Sequence, residues 1–178
     1  MRLGLEGALL CPLLLGCGGG AATSARPVEI AGIGRHACMR MSDGTVACAG
    51  VNEHGELGDG TVTNRHEFAT VQGLSGATQI AVGSNHVCAR IGDSTVRCWG
   101  WNGSGQLGDN TRVDRSTPVE VVGLHGVSEV SVGSKTTCAR LDDATLRCWG
   151  SNTNGELADG RQEDRLVPGA VEGLNGVA

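Results

Sequence analysis

The 178-residue chain combines 30 glycines and eight cysteines with an aromatic content of only 2%, and its formal net charge is −5, from 14 basic and 19 acidic residues. The acidic balance argues against a nucleic-acid-binding surface, for which an excess of basic residues is expected. With so few aromatic side chains, the core must come from close packing of backbone with Val, Ile, Leu, Ala and Cys.

The first 25 residues have the pattern of an export leader. A positively charged start precedes an apolar run over 8–15, which is too short for a hydrocarbon core that needs about 20 residues but fits a signal peptide. The residues Leu-Leu-Gly-Cys at 14–17 resemble the lipobox of bacterial lipoproteins, in which the cysteine is acylated after cleavage. We therefore expect a signal peptide over 1–16, a lipid anchor on Cys17 and a flexible tether over 17–28 that holds the protein at the bacterial cell envelope. The alternative is a signal peptide cut near Ala25 and a secreted protein.

The rest of the chain, residues 29–178, is repetitive. About 150 residues is the size of one domain. They divide into three units of 50 residues that align without a gap, at about 31–80, 81–130 and 131–178. Asparagine, glycine, leucine, aspartate and arginine recur at equivalent positions, as in Asn52, Asn102 and Asn152. Such a repeat indicates a supersecondary unit that must stack on its neighbours to bury its apolar faces.

Each unit contains four runs of β-branched and apolar residues bounded by glycine and turn residues, which predicts four short strands. In the middle unit the strands are expected at Ala77–Val82, His86–Ile91, Thr95–Trp99 and, more briefly, Pro118–Val122. Alternation places two sets of side chains on opposite faces of the central hairpin, namely Cys88, Arg90, Val96 and Cys98 against Val87, Ala89, Ile91 and Trp99. Because both faces carry apolar residues, each sheet is expected between two others. The pattern predicts an all-β fold of β-propeller blades, each of four antiparallel strands.

Six cysteines form three pairs with a spacing of ten residues: Cys38 and Cys48, Cys88 and Cys98, and Cys138 and Cys148. Three-residue turns centred on Asp43, Asp93 and Asp143 would place the cysteines of each pair opposite each other, close enough for a disulfide. Six cysteines allow 15 connectivities, and the repeat symmetry favours one bridge within each hairpin. Zinc is the alternative, suggested by His36 beside Cys38 and His86 beside Cys88. The third unit has Thr136 instead and the chain has no Cys-x-x-Cys spacing, so no metal is expected.

The string Cys-Trp-Gly-x-Asn-x-x-Gly-Gln-Leu-Gly-Asp at 98–109, with Ser-Thr-Pro-Val at 116–119, resembles the regulator of chromosome condensation repeat. The resemblance covers residues 29–178. It implies blades of a seven-bladed propeller, and the paired cysteines resemble the exported bacterial members of that family. The first unit departs most, with Ile33 for glycine, Ala49 for tryptophan and Phe68 for proline. These losses are expected in an end blade with one side partly uncovered.

Three units are fewer than the four blades or so of the smallest propellers. We therefore expect an open, incomplete propeller, and three explanations compete. In the first, which we favour, the sequence is a truncated reading of a longer protein. In the second, the protein is an arc of three blades. In the third, several chains close the ring by self-association through the open blade faces.

No catalytic constellation is recognisable, so no enzymatic activity and no cofactor are expected. The Gly-Asp-Gly at 58–60 lacks the dense acidic ligands of a calcium loop. The family resemblance also implies guanine-nucleotide exchange on a small GTPase, an activity of eukaryotic members. An export leader and disulfides place this chain away from such a partner, so we do not expect that activity here.

Residues that differ between repeats are the candidate contacts to a partner, because propellers present the loops of successive blades together. The candidates are Trp101, His54 and Arg112, together with Arg115, which recurs in all three units but lies in the variable run 111–117. An alternative role for Trp101 is to cover Leu107. The sequence thus predicts an envelope-anchored module that recognises a protein or glycan through its loops. The alternatives are an accessory region of a larger exported enzyme and a purely structural surface protein.

Overall fold

The computed structural model of the protein describes residues 25–171. The predicted signal peptide and the Cys17 anchor lie outside these residues. The described chain folds into three four-stranded antiparallel sheets, which we call blades 1, 2 and 3. The strands, in chain order, are β1 Pro27–Ile33, β2 His36–Met41, β3 Val46–Gly50 and β4 Arg65–Thr70; β5 Ala77–Val82, β6 His86–Ile91, β7 Val96–Gly100 and β8 Arg115–Glu120; and β9 Val127–Val132, β10 Thr136–Leu141, β11 Leu146–Gly150 and β12 Arg165–Ala170.

The predicted all-β class and the four-stranded blades are confirmed. Within residues 25–171 there is no helix long and apolar enough to cross a membrane. The fourth strand differs from the prediction, because β8 begins at Arg115 and ends at Glu120 rather than running over Pro118–Val122. A bulge in β8 between Arg115 and Val119 brings Arg115 opposite Gly100, so the strand begins three residues earlier than predicted. Val121, which was predicted to lie in the strand, directly follows it and is buried.

The central hairpin of each blade has the predicted three-residue turn. In blade 2, Ile91 N donates to Thr95 O at 2.9 Å, and Asp93 Oδ1 accepts a 3.0 Å hydrogen bond from Thr95 N. Ser94 adopts a left-handed φ of 63°. This turn places Cys88 opposite Cys98. All three cysteine pairs are bonded this way, with S–S distances of 2.11, 2.14 and 2.14 Å and Cα–Cα distances of 4.1 Å.

The blades stack with the disulfide side of one sheet on the tryptophan side of the next. We call these sides the outgoing face and the incoming face of a blade. One core cluster buries outgoing residues of blade 1 against incoming residues of blade 2, namely Cys38, Val46 and Cys48 against Val87, Ala89 and Trp99. A second cluster joins blades 2 and 3 in the same way. The predicted division of side chains between the two faces is therefore confirmed.

An indole lies over a glycine at each of these two interfaces. Trp99 Nε1 and Trp149 Nε1 each donate to a carbonyl oxygen in the preceding blade at 2.8 Å. A Cβ added to Gly58 would lie 2.8 Å from Trp99 Nε1, and one added to Gly108 would lie 2.7 Å from Trp149 Nε1. Only glycine therefore lets the indole approach so closely.

Two faces have no neighbouring blade among the described residues. On the incoming side of blade 1, Ile30, which pairs with Met39, is 73% exposed, and Phe68 on its outer strand is 44% exposed. Ala49 stands where blades 2 and 3 carry tryptophan. The expected uncovered side of the first blade is thus observed, and the described part of the protein is an open propeller.

Candidate functional site

The loops that differ most between repeats lie at one end of the sheets. Because the strands are antiparallel, the loops after β3, β7 and β11 meet there with the short turns before β2, β6 and β10. We call this end, formed by residues 34–35, 51–64, 83–85, 101–114, 133–135 and 151–164, the upper edge. All four predicted contact residues belong to it or border it.

One asparagine organises each long loop of the upper edge. The side chain of the fully buried Asn102 donates to Asp109 Oδ1 at 3.0 Å and accepts a 3.0 Å hydrogen bond from Leu107 N. Its backbone N–H donates to Asp114 Oδ1 at 2.7 Å. Asn52 and Asn152 repeat these contacts in the other blades. The loops are therefore fixed platforms, and the residues between the repeated positions vary on a constant backbone.

Arg115 belongs to this loop framework. Its guanidinium lies 2.8 Å from Asp109 Oδ2, and the same 2.8 Å pair recurs in Arg65 with Asp59 and Arg165 with Asp159. Burial raises the pKa of Asp109, but hydrogen bonds from Thr111, Arg115 and Asn102 outweigh it and hold that pKa below its ordinary value. Arg115 thus closes the loop onto the start of β8.

Trp101 stands at the centre of a cluster drawn from all three blades. The His54 ring of blade 1 meets the indole edge-on at 6.4 Å between centroids, and Lys135 Nζ of blade 3 lies 5.5 Å from the ring centroid. His54 Nδ1 lies 2.8 Å from Asp114 Oδ2. We call Trp101, His54, Lys135 and Asp114 the Trp101 cluster. A half-buried indole beside a cation is a common arrangement in recognition surfaces.

The backbone supports this cluster. A Cβ added to Gly103 would lie 2.5 Å from Trp101 Cζ2, so the indole rests directly on that residue. Among the described residues, Lys135 has no carboxylate within salt-bridge distance, whereas His54 has Asp114. Leu107 is buried in the core cluster between blades 2 and 3, and Trp101 is not among the residues packed against that cluster in the described part of the chain.

Arg112 joins blade 2 to blade 3. One of its nitrogens, Nη1, donates to Gly103 O at 2.6 Å and to Asp164 Oδ2 at 2.9 Å. The pair of His54 with Asp114 joins blades 1 and 2 at a neighbouring position of the edge. Of the four predicted contact residues, Arg112 and Arg115 therefore form ion pairs and His54 is hydrogen-bonded to Asp114, while Trp101 lies between two of the blade junctions.

Two buried histidines lie beneath the edge. His86 is fully buried, and its Nε2 lies 2.9 Å from Thr137 Oγ1, which itself donates to Gln106 O at 2.8 Å. The hydroxyl proton is thus used, so His86 Nε2–H is the donor. Burial lowers the pKa of His86 to about 3, and His36 nearby contributes to this lowering. His86 is neutral in the folded protein and serves as a packing residue, as does His36, whose pKa burial also lowers.

Reasoning from the sequence missed Lys135, Asp114 and Asp164. Lys135 is the only lysine in the chain, and it falls in a turn before β10. A residue type that occurs only once in a repetitive chain could have identified Lys135 as a candidate. The two aspartates recur with the 50-residue spacing, but their contacts cross from one blade to the next. Within residues 25–171, no group of three or more His, Cys, Asp or Glu side chains is arranged to hold a metal ion.

Comparison with known structures shows the same architecture. The human WBSCR16 structure has a TM-score of 0.74 and 23% sequence identity, with 82% of this chain and 39% of that chain covered. Yeast RCC1 (Prp20), solved bound to Kap60, has a TM-score of 0.71 and 19% identity, with 85% and 38% covered. Prp20p from Saccharomyces cerevisiae, whose structure was described with its binding properties to Gsp1p and histones, has a TM-score of 0.67 and 17% identity, with 82% and 38% covered.

These identities show a common fold, and the chain spans about two fifths of the length of each of these three proteins. No curated protein sequence matches the chain significantly. Two family models for the regulator of chromosome condensation (RCC1) repeat do match, one over residues 93–140 and the other over 77–106 and 127–156. Residues 77–156 of this chain therefore carry RCC1 repeats, folded as successive blades of a propeller.

Proposed function

We propose that the chain is a protein-interaction module that recognises its partner at the upper edge, around the Trp101 cluster. The observation that carries this proposal is the meeting of Trp101, His54 and Lys135 from three different blades on a fixed loop framework. The likeness to yeast Prp20p, whose structure was described with its binding to Gsp1p and histones, supports a protein as the partner.

The chemistry of the cluster indicates what the partner carries. Lys135 has no carboxylate within salt-bridge distance in the described structure, and its ammonium lies over the Trp101 ring. A partner carboxylate would pair with Lys135, and an apolar or aromatic group beside it would cover the exposed part of the indole. His54 contacts Asp114 and Arg112 contacts Asp164, so these two residues join neighbouring blades. They lie at the periphery of the proposed binding surface.

The binding experiment uses the purified chain, immobilised, with an envelope extract and, in parallel, a glycan array. We expect a specific bound protein that is lost in Trp101→Ala and Lys135→Ala. The variant Val122→Ser is the matched control, because Val122 is 50% exposed and does not belong to the Trp101 cluster. Binding that survives both edge substitutions would contradict the proposal, and binding to glycans that depends on Trp101 would change the partner from protein to glycan.

We also propose that the protein is an exported lipoprotein held at the bacterial cell envelope. The support is the leader over 1–16, the Leu-Leu-Gly-Cys at 14–17 and the three hairpin disulfides, which favour an oxidising compartment. The intact mass of protein purified from native membranes should match an acylated chain that begins at Cys17, with six thiols appearing only on reduction. An unacylated mass or free thiols before reduction would contradict this.

Finally, we propose that the uncovered faces of blades 1 and 3 mediate self-association. The incoming face of blade 1 exposes Ile30, and the outgoing face of blade 3 carries a half-buried Cys138 and Leu146. Both faces have the sheet geometry that packs on a neighbour inside the chain. Sedimentation over a range of concentrations tests this, because a protein that remains monomeric throughout would contradict it.

A further inference from the structure

We infer that the outgoing face of blade 3 docks on the incoming face of blade 1 of a second copy of this chain, closing a two-copy ring of six blades. This inference rests on the proposed self-association and names its partner faces. Each interior interface has a set of matched residue pairs, and the two uncovered faces carry a matched set of their own. The correspondence follows from the repeat, since residues 50 positions apart occupy the same place in successive blades.

The first matched pair concerns size. At both interior interfaces a tryptophan of the incoming face lies over a glycine of the outgoing loop, where a Cβ would approach within 2.8 or 2.7 Å of the indole nitrogen. On the uncovered faces both members differ. The outgoing loop of blade 3 has Ala158, with a φ of 49°, and the incoming face of blade 1 has Ala49. The Cβ of Ala158 excludes a tryptophan placed as in the interior, and Ala49 does not present one.

Methionine side chains supply, on the incoming face of blade 1, the volume that tryptophan supplies at the interior interfaces. Blade 1 carries Met39 and Met41 on its incoming face at the positions of Ala89 and Ile91 in blade 2. A methionine is larger than the alanine and adapts its shape to an irregular neighbour. On the incoming face of blade 1, the large side chains therefore stand at the centre of the sheet and not at the position that tryptophan occupies in the other blades.

The second matched pair concerns charge. At the interior interfaces, a nitrogen of the outgoing blade meets an aspartate of the incoming blade: His54 Nδ1 lies 2.8 Å from Asp114 Oδ2, and Arg112 Nη1 lies 2.9 Å from Asp164 Oδ2. The position of these aspartates is Asn64 in blade 1. Asn64 Oδ1 accepts from Asn52 N at 2.8 Å, as the aspartates accept from their asparagines, so its amide nitrogen stands where they offer an acceptor.

The outgoing loop of blade 3 also differs from the interior loops, at the positions that would face Asn64. The positions of His54 and Arg112 are there occupied by Asn154 and Gln162. Their amide oxygens can accept from the Asn64 amide, and no unpaired charge would be buried at this junction. Both sides of the uncovered junction have thus exchanged the side chain and aspartate of the interior pairs for amides, so that neither side lacks a partner.

Backbone groups repeat the interior pattern. Gly60 N donates to Ser116 O at 2.9 Å, and Asn110 N donates to Leu166 O at 3.1 Å, each from one blade to the next. Gly160 N and His66 O are the corresponding groups on the two uncovered faces. Gly160 has the positive φ of Gly60, at 72° against 80°, so its N–H keeps the same direction.

The inner strands add a side-chain contact of the same kind. Gln79 of β5 binds the backbone of Val130 in the next blade, donating to its O and accepting from its N, both at 3.0 Å. The equivalent of Gln79 in blade 3 is Glu129, with a side chain 58% exposed, and the equivalent of Val130 in blade 1 is Ile30, which is 73% exposed. A Glu129 carboxylate can accept from Ile30 N of the second copy.

A head-to-tail contact forms a ring when its rotation closes and an open filament when it does not. The two-copy ring closes when the three blades of each copy span half of it. Three blades from each copy make six, within the usual range of propellers.

The test is sedimentation of the full chain and of variants across a range of concentrations. The wild-type chain should form a dimer. Ala49→Trp should weaken the dimer at least about tenfold, because the new indole meets the Cβ of Ala158. Adding Ala158→Gly to Ala49→Trp recreates the interior tryptophan and glycine pair and should restore the dimer. Ala158→Gly alone should keep it.

The outcomes separate the two proposals. A wild-type chain that is monomeric at every concentration, as expected if another segment or another protein covers these faces, overturns both self-association and this interface. A dimer that Ala49→Trp leaves unchanged overturns the interface alone, as does failure of Ala158→Gly to restore a folded Ala49→Trp chain. Near-ultraviolet circular dichroism verifies folding of each variant, and none of these changes touches the Trp101 cluster.

Discussion

The contact between Trp149 and Gly108 allows a sharp test of how the blades are held together. Gly108 has a φ of +69°, and a Cβ added there would lie 2.7 Å from Trp149 Nε1 and 2.9 Å from Val121 Cγ1. Gly123, in the same blade, has a nearly equal φ of +67°, but no atom lies within 4 Å of an added Cβ. The two substitutions to alanine therefore share the backbone strain and differ in the steric contact.

The expected magnitudes follow from these two contributions. A left-handed alanine costs about 1–2 kcal/mol relative to glycine, and this applies to both variants. Overpacking against a rigid indole in a closed interface adds about 1–3 kcal/mol in Gly108→Ala alone. We thus expect losses in the free energy of unfolding of about 2–5 kcal/mol for Gly108→Ala and about 1–2 kcal/mol for Gly123→Ala.

Urea denaturation of the oxidised chain, followed by tryptophan fluorescence, measures both values. The difference between the variants reports the steric contact without the backbone contribution. Equal losses in the two variants would refute the close packing of Trp149 on Gly108. They would also remove the size argument for the pairing of Ala49 with Ala158.

Other predictions concern the buried polar groups of the interfaces. Trp149→Phe removes the indole donor to Gln106 O and leaves a gap above Gly108, so it should cost about 2–4 kcal/mol in urea denaturation, while Trp101→Phe at the upper edge should cost less than about 1 kcal/mol. Thr137→Val should destabilise by about 1–3 kcal/mol by thermal melting, because it leaves His86 Nε2–H without an acceptor; no loss would mean that His86 does not donate to Thr137. The pKa of His86 is about 3 in the folded protein, against an ordinary value of 6.5 for a solvated histidine, so between these values the unfolded chain binds a proton that the folded chain does not. Stability should therefore fall as the pH drops from 6.5 towards 3, by up to about 1.4 kcal/mol per pH unit from this residue, and His36 acts in the same direction. His86→Gln should flatten this dependence in denaturation experiments at about pH 7 and about pH 4.5.

The sequence allowed the fold to be predicted because its repeat places the same residue types at the same point of each blade. Alternation around Cys88 was enough to divide the hairpin into two faces, and the turn at Asp93 was enough to align the cysteines. The start of β8 at Arg115 was not predictable, since it depends on a bulge between Arg115 and Val119 that shifts the register. Local pattern carries no information about that shift.

The candidate site was predicted less completely. Trp101 and His54 stood out because their repeat equivalents differ, but their proximity to Lys135 arises only when three blades stack. The contact of His86 with Thr137 was equally hidden, because the equivalent of Thr137 in blade 2 is Val87, and His36 Nε2 has no hydrogen-bond partner in the described structure. Pairings across blades depend on the angle and spacing of the sheets, which a single repeat does not encode.

The placement of the three disulfides determines how the protein responds to a pulling force. Each bridge joins cysteines ten residues apart inside one hairpin, and none of them links two blades. The blades can thus be drawn apart one by one without breaking a covalent bond, but about ten residues in each remain shielded from the load. At about 3.4 Å per extended residue, an oxidised blade of about 50 residues should lengthen by about 35 Å less than a reduced one. The bridges therefore set how far each blade can be extended, while the resistance to separation comes from the non-covalent contacts between the blades.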